Sequence, residues 1–170
     1  MKTPKLKRRR VLFIIFGTLV VYFAVPFPFV GAQDRDSARE CTIRWLLHHN
    51  DSAMQDKLQA CFVGIGTTFD PKDGDFAPRD PPKEFLSRFS NFPVPIFPVS
   101  ANTNRFSAAD STGKRGLLLA AGNVRRWSIG IVVCRGFYYE GGLSSAGYEV
   151  YLLRVPFAWI PVGARMLWIS

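Results

Sequence analysis

The junction at Arg10 limits this chain more than any other feature. Six cations, Lys2, Lys5, Lys7, Arg8, Arg9 and Arg10, are followed by an uncharged run from Val11 to Gln33 whose first fifteen residues are nearly all Val, Leu, Ile, Phe or Tyr. Charges abutting such a run do not suit the helix of a soluble core. Charge followed by an apolar stretch is the pattern of a secretory signal. Pro26 and Pro28 end a helix near Val25, because each lacks a donor N–H and clashes with the preceding turn. Val30-Gly31-Ala32 then offers the small side chains that a signal peptidase accepts, so cleavage after Ala32 is one expectation. Retention as an anchor is the other, since this run exceeds the roughly 20 residues that a helix needs to cross a hydrocarbon core. In both cases residues 1–32 are a signal peptide or signal anchor, and the cationic flank stays cytoplasmic. Residues 33–170 are then exported: periplasmic, secreted, or anchored through residues 11–32 with the C-terminal domain outside. Arg8-Arg9-Arg10 touches the twin-arginine pattern, but the flanking residues favour general secretion.

The formal charge of +9 follows from the same feature. Without residues 1–32 the chain holds 16 basic and 13 acidic residues, a net of +3. That is an ordinary globular charge, and no nucleic-acid partner is expected. About 138 residues remain, enough for one domain with a core. Cys41, Cys61 and Cys134 would meet an oxidising compartment after export. One disulfide with one free thiol is the simplest arrangement, with all three pairings open, and buried thiols without a bridge are the other reading. No pair has metal-ligand spacing, and Ala38-Arg39-Glu40 before Cys41 excludes a lipid-attachment box.

Ser37-Ala38-Arg39-Glu40 has capping-box spacing and predicts a helix from Ser37 to Asn50. Ala38, Cys41, Trp45 and His48, beside Leu46, give it a mixed apolar stripe. Leu58 to Thr67 reads as a short buried strand. Residues 68–82, with four prolines and four aspartates, read as a flexible loop. Asp80-Pro81-Pro82 predicts a second helix start, with aspartate as cap and proline in the first turn. Phe92 to Ser100, with prolines at 93, 95 and 98, must be extended, as an edge strand or a strap.

The last third is dense in β-branched and aromatic residues. Leu117 to Ala121, Arg126 to Tyr139, Tyr148 to Val155 and Trp159 to Ile169 predict an antiparallel meander, broken at Gly122-Asn123, at residues 140–147 and at Pro156. In the final strand Ile160, Val162, Ala164, Met166 and Trp168 alternate with Trp159, Gly163 and Arg165, and one of these faces is core. A helical front half followed by strands predicts an α+β domain: a helix packed on a curved antiparallel sheet that ends in a three- to four-stranded meander.

The ending Ala146-Gly147-Tyr148-Glu149-Val150-Tyr151-Leu152-Leu153-Arg154, then Trp159-Ile160-Pro161-Val162 and Trp168-Ile169-Ser170, resembles the closing hairpin of NTF2-like and other cystatin-like folds. It also resembles small exported bacterial proteins that end in the same manner. The likeness covers about the last 45 residues. Pro156-Phe157 departs from the polar turn usual there. It implies a fold and no activity.

Five groupings invite a chemical reading. Gly142 to Gly147 approaches a nucleophile elbow, but a strand follows it and the histidines lie upstream, against the order that hydrolases of that kind use. Adjacent His48 and His49 point about a hundred degrees apart on a helix and suit a protonated helix end better than one metal ion. Asp70, Asp73 and Asp75 suggest weak calcium binding, although no bidentate glutamate follows. Gly64-Ile65-Gly66 lacks the third glycine of a dinucleotide loop. Aromatic residues interleaved with Arg125, Arg126, Arg135, Arg154 and Arg165 could form a stacking platform for nucleic acid or sugar, but read first as core and solvated strand face. No catalytic set and no cofactor are expected. The expected function is that of a non-enzymatic binding or interaction protein of the cell envelope, with an envelope protein as partner. The alternative is a small-ligand-binding protein or hydrolase with an NTF2-like cavity, lined by Trp45, His48, Tyr139 and Tyr151.

Overall fold

The computed structural model describes residues 31–50, 58–66, 78–103, 108–141 and 144–169. The expected signal segment, apart from Gly31 and Ala32, and the aspartates at 70, 73 and 75 lie outside them. Among the described residues no helix is long and apolar enough to cross a membrane.

The architecture is α+β. Helix α1 (Ala32–His48) is followed by β1 (Cys61–Ile65), the short helix α2 (Lys83–Ser87), β2 (Ile96–Pro98), β3 (Leu117–Ser128), β4 (Ile131–Gly141), β5 (Ser144–Val155) and β6 (Ala158–Ile169). The strands form one sheet in the order β2-β1-β3-β4-β5-β6. The expectation of a wholly antiparallel sheet is corrected here. β3 to β6 are the anticipated meander, whereas β1 runs parallel to both β2 and β3. The proline-rich strap is the edge strand β2, where a missing N–H costs least.

Helix α1 begins five residues before the expected capping box. Gly31 is its N-cap, with no side-chain cap. Ser37, already inside the helix, donates instead to the Gln33 carbonyl at 3.0 Å. The buried stripe is Ala38, Thr42, Ile43, Leu46 and Leu47, displaced from the one read through Cys41, Trp45 and His48. It crosses the sheet at Gly136, where a Cβ would stand 2.7 Å from Thr42 Cγ2 and 2.9 Å from Leu46 Cδ1. A side chain there would push the helix away, so glycine permits the approach. The core between helix and sheet gathers Val63, Leu117, Leu119, Val132, Val150, Leu152 and Trp159. A smaller cluster on the other face holds Ala60, Phe62, Leu118 and Phe137, with Tyr139 and Trp168 against it.

Arg44 ties α1 to α2. Its Nη2 donates to the Arg88 carbonyl at 2.7 Å, its Nε pairs with Glu40 at 3.0 Å, and its guanidinium lies 5.2 Å from the centre of the Phe89 ring. Asp80 is not the cap of α2, whose N-cap is Pro82. The Asp80 carboxylate accepts from the Ser100 N–H at 2.8 Å. The end of the expected loop is also held, because Arg79 exchanges backbone hydrogen bonds of 2.7 and 2.9 Å with Ile65.

Two turns differ from the sequence reading. Gly122-Asn123 is a bulge inside β3, between the register pairs Ala121–Gly136 and Val124–Cys134. The hairpin turn lies at Ile129-Gly130, where Gly130 takes a φ of 72°. Bulges in β6 next to Val162 and Leu167 break its alternation. Neither of its faces is core along its length: Trp159 is buried, while Ile160, Val162 and Met166 are exposed. All three cysteines are free thiols, the second of the two readings, with Cys61 and Cys134 buried. Burial pushes the thiols of Cys41 and Cys134 up to about 11 and that of Cys61 to about 12.

Candidate functional site

The bulge at Gly122 resets the alternation of β3 before its arginines. Val124 and Arg126 then lie opposite Cys134 and Val132 on the helix side, and Arg125 lies opposite Val133 on the other. α1 does not cover the whole helix side of the sheet. Between its first turn and the β3–β4 turn is a cleft of about 340 Å³, near the small end of the roughly 300–1,000 Å³ usual for ligand sites. Val124, Ile131, Val132 and Trp159 form its apolar wall, and Arg35, Arg126 and Arg154 stand around it, with Arg125 at the margin.

These guanidiniums are not equivalent. Arg154 Nη1 pairs with Asp34 Oδ2 at 2.8 Å, and its guanidinium lies 5.6 Å from the centre of the Trp159 ring. Arg125 pairs with Glu149 at 3.1 Å and lies 5.3 Å from the centre of the Trp127 ring. Arg35 and Arg126 are exposed and have no carboxylate partner among the described residues. Two uncompensated positive charges therefore stand over an apolar wall. Guanidinium favours carboxylate and phosphate, which it meets with two parallel hydrogen bonds.

On the opposite face a second charged group crosses four strands. Glu149 of β5, only 1 % exposed, accepts from Arg125 of β3 at 3.1 Å, Arg135 of β4 at 3.2 Å and Arg165 of β6 at 2.8 Å. Burial pushes this carboxyl up, but hydrogen bonds from Arg125 and Arg135 and the charges of Arg125 and Arg165 more than offset it. The net effect holds Glu149 below its ordinary value. It is a structural anion that organises the arginines.

The four residues proposed for an NTF2-like cavity do not converge. Trp45 stacks on His49 at 4.4 Å and meets Tyr148 edge-on, on the helix side. His48 is exposed in the last turn of α1. Tyr139 packs against the smaller cluster on the other face, and Tyr151 on that face meets Trp127 at 5.5 Å. Ser144 and Ser145 open β5 directly, with no strand-to-helix turn, and Ser144 Oγ donates to Glu140 at 3.0 Å. Among the described residues no group of three His, Cys, Asp or Glu side chains is placed to hold a metal ion. Sequence reasoning named Arg125, Arg126 and Arg154 in the aromatic-arginine set but missed Arg35. The one local signal for it was a cation in the residues just after the apolar run.

Fold and cleft together define a small α+β domain with a cationic, apolar-walled cleft. No protein-family model, curated protein or solved structure matches the chain.

Proposed function

We propose that this chain is an exported or membrane-tethered binding protein of the cell envelope, and that it works by holding a partner group at the arginine-rimmed cleft. The observation that carries this reading is the pair of unpaired guanidiniums, Arg35 and Arg126, beside the wall of Val124, Ile131, Val132 and Trp159. A guanidinium offers a fork of N–H donors and no acceptor, which suits it to holding an anion. The cleft therefore favours binding over catalysis. Export is supported by the cationic flank and apolar run of residues 2–33.

Two measurements test the reading. Fractionation of cells producing the full chain, with the intact mass of the product, is expected to find residues 33–170 outside the cytoplasm, either cut after Ala32 or still attached to the run. A cytoplasmic soluble product would end the proposal of export. Titration with 4-phenylbutyrate, a small apolar anion, is expected to shift the NMR resonances of Ile131, Val132 and Trp159. Absence of any shift at millimolar ligand would remove the cleft as a binding site.

A further inference from the structure

We propose that the end of the domain carrying the cleft seats on an anionic lipid surface. The proposal rests on the reading of that cleft as a binding site and names its partner.

Three parts of the chain meet at this end. The β3–β4 turn and the β5–β6 turn are neighbours, since the Arg154 N–H donates to the Gly130 carbonyl at 2.8 Å. The first turn of α1 joins them through the 2.8 Å pair of Asp34 with Arg154. Arg35 borders the same cleft as Ser128 and Gly130. The helix runs from here to the far end of the sheet, where Asn50 donates to Glu140 at 3.0 Å.

Both turns and their flanks expose large apolar side chains where polar turn residues are usual. Phe157 is fully exposed, Trp127 is 56 % and Ile129 55 % exposed, and Ile160 follows at 46 %. Among the described residues Arg35 and Arg126 leave this end with positive charge that no carboxylate pairs. The carboxylates of the first turn of α1 and just beyond it, Asp34 and Asp36, are engaged by Arg154 and Arg39. Trp and Phe beside arginines suit the headgroup level of a bilayer, where rings reach the acyl boundary and guanidiniums meet phosphates.

The chain enters α1 at this same end, directly from the uncharged run Val11 to Gln33. A bilayer that holds that run adjoins these turns and not the far end of the sheet. Proximity then makes seating an intramolecular step, favoured by high effective concentration. Each arginine brought to an anionic surface strengthens attachment about fivefold.

The test uses the full chain in lipid nanodiscs whose acyl chains carry bromine, a contact quencher of tryptophan. Discs of phosphatidylcholine alone are compared with discs containing phosphatidylglycerol, and the Trp127→Phe variant isolates the Trp127 signal. Trp127 is expected to be quenched at least about twice as strongly in the anionic discs. In the Arg35→Gln, Arg126→Gln double variant the quenching is expected to fall to the phosphatidylcholine level. Both arginines are exposed, so the fold is kept, and an unchanged near-ultraviolet circular dichroism spectrum verifies this. Trp127 unquenched in anionic discs, or quenched equally after loss of both arginines, overturns the proposal. If 4-phenylbutyrate still shifts the cleft resonances in that case, the cleft remains a binding site and only the lipid partner is lost.

Discussion

Arg154 Nη1 lies 2.8 Å from Asp34 Oδ2, so the end of β5 is fastened to the first turn of α1 across 120 positions of sequence. The pair does two things at once: it holds the helix start against the sheet and withdraws one guanidinium from the cleft.

The Asp34→Asn substitution separates these effects. The Arg154 and Asp34 side chains are 26 and 33 % exposed, so solvent screening limits the loss of stability to roughly 0.5–1 kcal/mol. With the competing carboxylate gone, Arg154 adds to the positive potential of the cleft. Binding of 4-phenylbutyrate is expected to tighten about threefold, less than the gain from a fully desolvated charge. Thermal melting and calorimetric titration of the same variant check both, and weaker binding would show that Arg154 serves the helix alone.

Replacing Glu149 by Gln leaves Arg125, Arg135 and Arg165 facing one another without their anion. The carboxylate is buried, but the arginine side chains are between 42 and 63 % exposed. The expected cost is therefore about 1–3 kcal/mol, below that of breaking a fully buried pair. Urea unfolding measures it.

The same carboxyl sets a pH dependence. Its value is lowered in the folded protein, so its stabilising contribution is complete above the ordinary value of 4.5 and lost as pH falls through the folded value. Wild type is expected to lose more melting temperature than Glu149→Gln between pH 6 and pH 3, conditions chosen to bracket that ordinary value. Parallel losses in the two proteins would contradict this.

Gly136→Val tests the helix crossing. A Cβ at 2.7 Å from Thr42 Cγ2 requires α1 to shift, and overpacking of this kind costs about 1–3 kcal/mol. The loss appears in urea unfolding, and pairing the substitution with Thr42→Ser, which removes that methyl, is expected to recover part of it.

The meander was legible in the sequence because its strands depend on neighbours in sequence. Runs such as Ile131-Val132-Val133 and Tyr148-Glu149-Val150-Tyr151 carry their β preference locally. The parallel contacts of β1 were not legible, since Cys61 pairs with both Ile96 and Leu117 across segments whose lengths carry no pairing signal. Gly122-Asn123 has turn composition, yet Arg39 Nε donates to the Gly122 carbonyl at 3.1 Å and the strand continues through a bulge. Gly130, the true turn, was hidden between isoleucines. The expected core face of β6 did not form, because β6 is the edge strand: beyond Trp159 both its faces are largely exposed, and bulges at Val162 and Leu167 break the alternation. The cleft assembles residues from α1, β3, β4, β5 and β6, so spacing in any one segment could not show it.

The parallel seating of β1 also carries a consequence for the order of folding. β3 to β6 close through short turns, whereas β1 finds its place only after longer segments have come together, and such non-local closure is slow. Pulse-labelled amide exchange during refolding is expected to protect Val132 and Val150 before Val63. The meander then serves as the template on which the first half of the domain is laid, although that half leaves the ribosome earlier.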